Sequence, residues 1–164
     1  MARRPIRLRN LLVLLVLSLL SLSAVAQRVE LYAGAQYLHQ QPAFNGVGWE
    51  GAVTGNFKHV LGITADFSGS YGLESSSYTY TVGPVLTARL PVVQPFVHAL
   101  FGGVTITDGR SRSGFAMFLG GGLDLGLRKG IGLRLFQVDW LSTRYSGTSF
   151  NKNVRASAGL VIKF

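Results

Sequence analysis

The chain's last twelve residues, 153–164, alternate with period 2. Val154, Ala156, Ala158, Leu160, Ile162 and Phe164 make one apolar face, and Asn153, Arg155, Ser157, Gly159, Val161 and Lys163 a mostly polar one. Residues two apart on an extended chain share a face, so the segment reads as a strand lying between an apolar and a polar surrounding.

The same rhythm recurs upstream. In 114–127, Phe115, Met117, Leu119, Leu123, Leu125 and Leu127 share one side and Gly114, Ala116, Phe118, Gly120, Gly122, Asp124 and Gly126 the other. Leu61, Ile63, Ala65 and Phe67 oppose Gly62, Thr64, Asp66 and Ser68; Tyr78, Tyr80, Val82, Leu86 and Ala88 oppose Thr79, Thr81, Gly83, Thr87 and Arg89. After Ala26 no stretch keeps a 3.6-residue apolar rhythm. Segments of about ten to fourteen alternating residues have the length of tilted membrane-spanning strands. Eight are expected, near 28–39, 46–57, 59–71, 77–89, 95–107, 114–127, 131–143 and 152–164. The fold class this predicts is all-β, an eight-stranded antiparallel up-and-down transmembrane β-barrel.

The start of the chain has a different character. Arg3, Arg4, Arg7 and Arg9 precede an apolar run from position 11 to 17, followed by serines and Ala24-Val25-Ala26. A basic start, a short apolar core and an A-x-A site describe a secretory signal peptide cleaved after Ala26. The apolar core is shorter than the roughly 20 residues of a spanning helix. Residues 1–26 are therefore expected to be a cleavable leader and 27–164 a single barrel domain.

The whole chain carries +9 and contains no cysteine. Four of its arginines leave with the leader, and the remaining Lys and Arg are scattered from Arg28 to Lys163. No basic stripe interleaved with aromatics is present, which argues against nucleic acid. Without cysteine there is no lipoprotein anchor, disulfide framework or thiolate metal site.

Eight strands with both termini on the periplasmic side put the connections 40–44, 72–76, 108–113 and 144–151 outside the cell. Turns at Lys58, 91–94 and 128–130 then face inward. Two alternations break. Pro84 removes a ladder hydrogen bond in mid-strand and predicts a bulge or local irregularity. Arg134 and Asp139 have opposite parity, so placing both inside requires an extra residue, expected near Leu135-Phe136.

With the apolar face on lipid, the polar face fills a lumen only wide enough for side chains. Its charged members are Glu30, Glu50, Asp66, His98, Asp124, Arg134, Asp139, Arg155 and Lys163. Buried charges need partners, so carboxylate–guanidinium bridges are expected in a plugged interior. Trp49, Tyr71, Tyr78, Trp140 and Tyr145 fall toward outer strand ends, and Phe57, Phe96 and Phe164 toward inner ends, as two interfacial girdles. The alternative is a soluble periplasmic, lipocalin-like barrel with its apolar face inside.

Chemistry is sparse. His39 and His59 sit at strand ends or turns, where a solvated role is expected. His98 is expected in the lumen, bonded to a carboxylate such as Asp66 or Asp124. It could serve a lipid-modifying enzyme as a general base. No catalytic residue, cofactor or metal site is assigned. Gly120-Gly121-Gly122 lies in a strand without a following Gly-Lys-Ser/Thr, which makes it a packing feature and not a phosphate loop. Arg110-Ser111-Arg112 is a small basic cluster on an outer loop, able to touch lipopolysaccharide phosphates.

Tyr32-Ala33-Gly34-Ala35-Gln36-Tyr37, Gly83-Pro84, Pro95-Phe96-Val97-His98, Gly120-Gly121-Gly122-Leu123-Asp124 and the Phe164 ending together resemble the OmpA-like and OmpX-like eight-stranded outer-membrane β-barrel family. In that family the strand carrying Gly-Gly-Gly-x-Asp points its acid inward. The resemblance thus implies Asp124 as an interior ion-pair member, with Arg134, just past the next turn, as its partner. The ending resembles the signal read by the barrel-assembly machinery, which implies Gly159, Ile162 and Phe164 as that signal. The deacylases among small outer-membrane barrels carry His-x-Ser in one strand; here Leu100 replaces the serine. No C-terminal peptidoglycan-binding domain of the OmpA type is expected, and the short loops weaken an adhesive role. The function implied is a non-enzymatic, monomeric outer-membrane barrel whose partners are membrane lipids, lipopolysaccharide and, during assembly, the barrel-assembly machinery.

Overall fold

The computed structural model describes residues 28–41, 44–57, 60–73, 75–145 and 148–164. The expected leader with its Ala24/Ala26 motif, and Lys58 and His59, lie outside the described residues. Eight antiparallel strands follow in order: β1 (Arg28–Gln40), β2 (Phe44–Asn56), β3 (Leu61–Tyr71), β4 (Ser76–Thr87), β5 (Val93–Thr107), β6 (Ser111–Arg128), β7 (Ile131–Tyr145) and β8 (Thr148–Lys163). Each pairs with its sequence neighbour, and β1 pairs with β8 to close the barrel. Closure leaves no strand edge with unpaired backbone groups.

The side-chain parity is that of an inside-out protein. Apolar residues face outward on every strand, among them Val53, Ile63, Val82, Val97, Leu119, Val138 and Leu160. Glu50, Asp66, Asp139 and Arg155 are at most 1% exposed. A lipocalin-like arrangement requires the opposite sidedness, so the apolar-inside alternative is overturned by where these side chains point.

Two irregularities differ in kind. At Pro84 the register is kept: Val82 pairs with Phe101 and Val85 with His98, and Pro84 remains opposite Ile63 on β3. The ladder to β5 skips Gly83 and Pro84 without a bulge, because the prolyl nitrogen lacks only a donor and not a place in the register. In β7 an extra residue does intervene. Leu123 pairs with Phe136 but Asp124 with Arg134, and the register toward β8 also shifts between Arg134 and Gln137. Leu135 and Phe136 both point outward, at 43% and 51% exposure. Two consecutive lipid-side residues thereby let Arg134, Gln137 and Asp139 all enter the lumen.

The connections at the end opposite the termini are shorter than expected. Strand pairing continues through Ser111 and Arg112 in β6 and through positions 148–150 in β8. The 88–92 connection, on the terminal side, exceeds the 108–110 turn in length. The connections at the two ends of the barrel are therefore alike in length.

Candidate functional site: the filled lumen

The centre of the lumen is one lateral row of paired residues. His98 of β5 pairs with Gly120 of β6, Gly120 with Asp139 of β7, and Asp139 with Arg155 of β8. All four share the inward face. Because Gly120 has no side chain, the imidazole reaches across it, and His98 Nε2 lies 2.7 Å from Asp139 Oδ1. The partner of His98 is thus Asp139 and not Asp66 or Asp124: two strands away, it is adjacent once the intervening position is glycine. A Cβ on Gly120 would collide with the Asp139 carboxylate and the Val138 carbonyl oxygen. Gly120→Ala is expected to destabilise the barrel by about 1–3 kcal/mol through overpacking. Urea titration of the folded band measures it, and a change within experimental scatter would contradict the packing account.

Arg155 gathers three carboxylates from three strands. Its Nε donates to Asp139 Oδ2 at 2.8 Å, and Nη2 lies 2.6 Å from the same oxygen. Nη1 and Nη2 donate to the two Asp66 oxygens at 2.9 and 3.2 Å, a bidentate fork. Nη2 also lies 3.4 Å from Glu50 Oε1. The guanidinium carbon sits 4.4 Å from the Phe118 ring centroid.

Gln137 couples this cluster to a second one. Its Nε2 donates to Glu50 and to Asp139, each at 2.8 Å, while its Oε1 accepts from Arg134 Nη1 at 2.7 Å. Arg134 in turn forks onto Asp124 at 2.8 and 3.1 Å. Its guanidinium lies between the Tyr32 and Phe96 rings, 4.3 and 4.1 Å from their centroids. Phe96 is 5% exposed, which corrects its placement in an interfacial girdle. Strand parity puts it on the His98 side, and Gly122 opposite leaves the space its ring needs. Nearest the terminal end, Glu30 accepts from Arg89 at 3.1 Å and from Asn56 at 3.0 Å.

The half of the interior farthest from the termini holds apolar side chains. Leu38, Leu100, Val104, Ala116, Phe118 and Leu141 form a buried apolar cluster, with Phe44 and Ile106 packed against it. Polar-lumen reasoning from composition missed this cluster, although parity with His98 and Asp124 places Leu100 and Phe118 inside. On the terminal side of the charged row, a void of about 20 Å³ is lined by Glu30, Asp66, His98, Asp124 and Arg134 among others. That is room for roughly one water.

On the exterior, Trp49 Nε1 donates to the Tyr71 hydroxyl at 3.3 Å, and the Tyr71 and Tyr78 rings meet edge-on with centroids 6.0 Å apart. Phe164 is 72% exposed at the terminal end, and the side chain of Tyr145 lies outside the described residues. Asn45 bonds both Tyr37 and His39 at the opposite rim. Among the described residues no group of three His, Asp or Glu side chains could hold a metal ion.

No protein-family model matches this chain, and no curated protein matches it in sequence. Solved structures do match in shape. Neisserial surface protein A superposes with a TM-score of 0.63 at 13% identity, covering 84% of this chain and 96% of that one. The N-terminal β-barrel domain of Pseudomonas aeruginosa OprF gives 0.60 at 11% identity, covering 85% and 98%. A transmembrane β-barrel of de novo design gives 0.57 at 16% identity, covering 85% and 97%. The chain has the fold of the eight-stranded transmembrane β-barrels. In fold it matches the OmpA-like and OmpX-like proteins that its sequence resembles.

Proposed function

We propose that this chain is a non-enzymatic integral outer-membrane barrel with a plugged polar lumen, serving a structural or surface-interaction role. The observation that carries the reading is the sidedness: an apolar exterior on all eight strands around an interior that holds the chain's buried charges in interlocked pairs. Water could not stabilise that exterior, whereas a hydrocarbon layer does. The reading includes export with cleavage after Ala26, both termini in the periplasm, and a monomeric barrel in contact with membrane lipids and lipopolysaccharide.

The geometry supports the non-enzymatic part. His98 is 8% exposed, its Nε2 faces Asp139, and the residue two along the strand is the buried Leu100. A lipid-modifying mechanism needs a general base next to a nucleophile at the lipid-facing surface.

The test is the electrophoretic mobility of the membrane-extracted protein, unheated and boiled. A closed barrel is expected to stay folded in detergent and to migrate apart from its boiled form. Soluble periplasmic protein with a single mobility would reject the reading. A second expectation concerns biogenesis, in which the assembly machinery would read Gly159, Ile162 and Phe164. Deleting Phe164 should reduce the heat-shifting species in the outer membrane and raise degraded material in the periplasm; wild-type amounts of folded protein would remove that role.

A further inference from the structure

At the terminal end, the turn between β6 and β7 overhangs a cavity of about 540 Å³. Arg128, Lys129 and Lys163 line it together with Gln94, and no acidic side chain lines it. The turn is held open by Gly130, whose φ of +82° is the left-handed conformation glycine adopts without strain, and whose carbonyl accepts the Lys163 backbone N–H at 2.8 Å. Lys163 Nζ donates to Gln94 Oε1 across the mouth, a neutral amide in place of a carboxylate. Glu30, the ladder partner of Lys163, is engaged by Arg89 and Asn56. Among the described residues the ion pairs belong to Arg89, His98, Arg134 and Arg155, so none of the three lining cations has a carboxylate partner.

The cations border an apolar rim. Leu127, Ile131 and Phe164 also line the cavity and are 53%, 48% and 72% exposed. That rim continues along the exterior, where Ile131 pairs with Ile162 and Leu133 with Leu160. Positive charge next to an exposed apolar strip complements a molecule with an anionic head and an acyl tail.

We infer that this mouth binds the phosphate of an anionic phospholipid, with the headgroup at Arg128, Lys129 and Lys163 and an acyl chain along Ile131 and Ile162. The inference rests on the membrane-barrel reading, in which the terminal end faces the periplasmic leaflet. A free phosphate would satisfy the cations but would leave the apolar rim unused.

The test is native mass spectrometry of the folded barrel in neutral detergent, titrated separately with phosphatidylglycerol, phosphatidylcholine and inorganic phosphate. Phosphatidylglycerol is expected to bind about tenfold or more tightly than phosphatidylcholine. The double variant Arg128→Gln, Lys129→Gln should lose that preference, and Lys129→Arg should keep it. Equal binding of the two lipids, or a preference unchanged in the double variant, overturns the site. Displacement of phosphatidylglycerol by inorganic phosphate at equal concentration would overturn the lipid as occupant. The unheated mobility of each sample separates the two readings, because a retained heat shift with no lipid preference refutes the site and leaves the barrel standing.

Discussion

Arg155→Met is expected to lower the unfolding free energy by about 3–5 kcal/mol, the cost of stranding buried carboxylates when their cation is removed. Glu50, Asp66 and Asp139 all lie within ion-pair distance of the guanidinium and are almost wholly buried. Methionine fills much of the volume, so charge and not a cavity dominates the loss. Arg155→Lys should fall between the two proteins, since one ammonium cannot fork onto Asp66 while also reaching Asp139. Urea titration of vesicle-embedded protein, followed by the heat-shifted band, measures the difference. A loss below about 1 kcal/mol, the range of a solvated surface pair, would show that the cluster is far better hydrated than its burial indicates.

Val82→Arg probes the opposite side of the wall. Val82 is 53% exposed in the middle of β4, between Ala65 and Phe101. Facing lipid at mid-depth, an arginine there is expected to cost about 2–4 kcal/mol in bilayers. Leu73, in the connection after β3 and fully exposed, provides the control. Leu73→Arg should change stability by no more than about 0.5 kcal/mol. Equal, small effects at both positions would mean that Val82 meets water, and the lipid-facing assignment would fall.

How well the sequence conveyed each part followed from the strength of the penalty that enforces it. Alternation in 61–68, 114–127 and 153–164 was easy to read because a polar side chain on the lipid face is costly. Strand ends were less legible: Ser111, Arg112 and the start of β8 extend the pairing where polar residues are tolerated on either face. The parities of Arg134 and Asp139 demanded one extra residue. Only the pairing of Leu123 with Phe136 and Asp124 with Arg134 shows how Leu135 is accommodated, since Leu135 and Phe136 suit lipid equally.

Lateral neighbours were the hardest to see. The His98–Asp139 contact depends on the register of three strands and on a side chain that Gly120 does not have. The glycine alternation itself was visible, and inward glycines between two polar strands mark where neighbours reach across. Phe96 followed its parity and not the usual preference of aromatics for the interface. The apolar cluster around Phe118 is not legible from a polar-lumen pattern, because the interior of a narrow barrel needs only to be filled.

The row through Arg155 also bears on how the cylinder resists being pried apart. Its closing seam, between β1 and β8, is gripped on the interior side by Tyr32 against Val161, with Leu38 opposite Arg155 farther along. From β8, the guanidinium also spans the bore to Glu50 on β2 and Asp66 on β3. Separating the first strand from the last therefore means withdrawing a bolt set across the tube as well as unfastening a zipper. The join made last in chain order is tied to the far wall, and a stave cannot swing outward there without dismantling the middle of the cask.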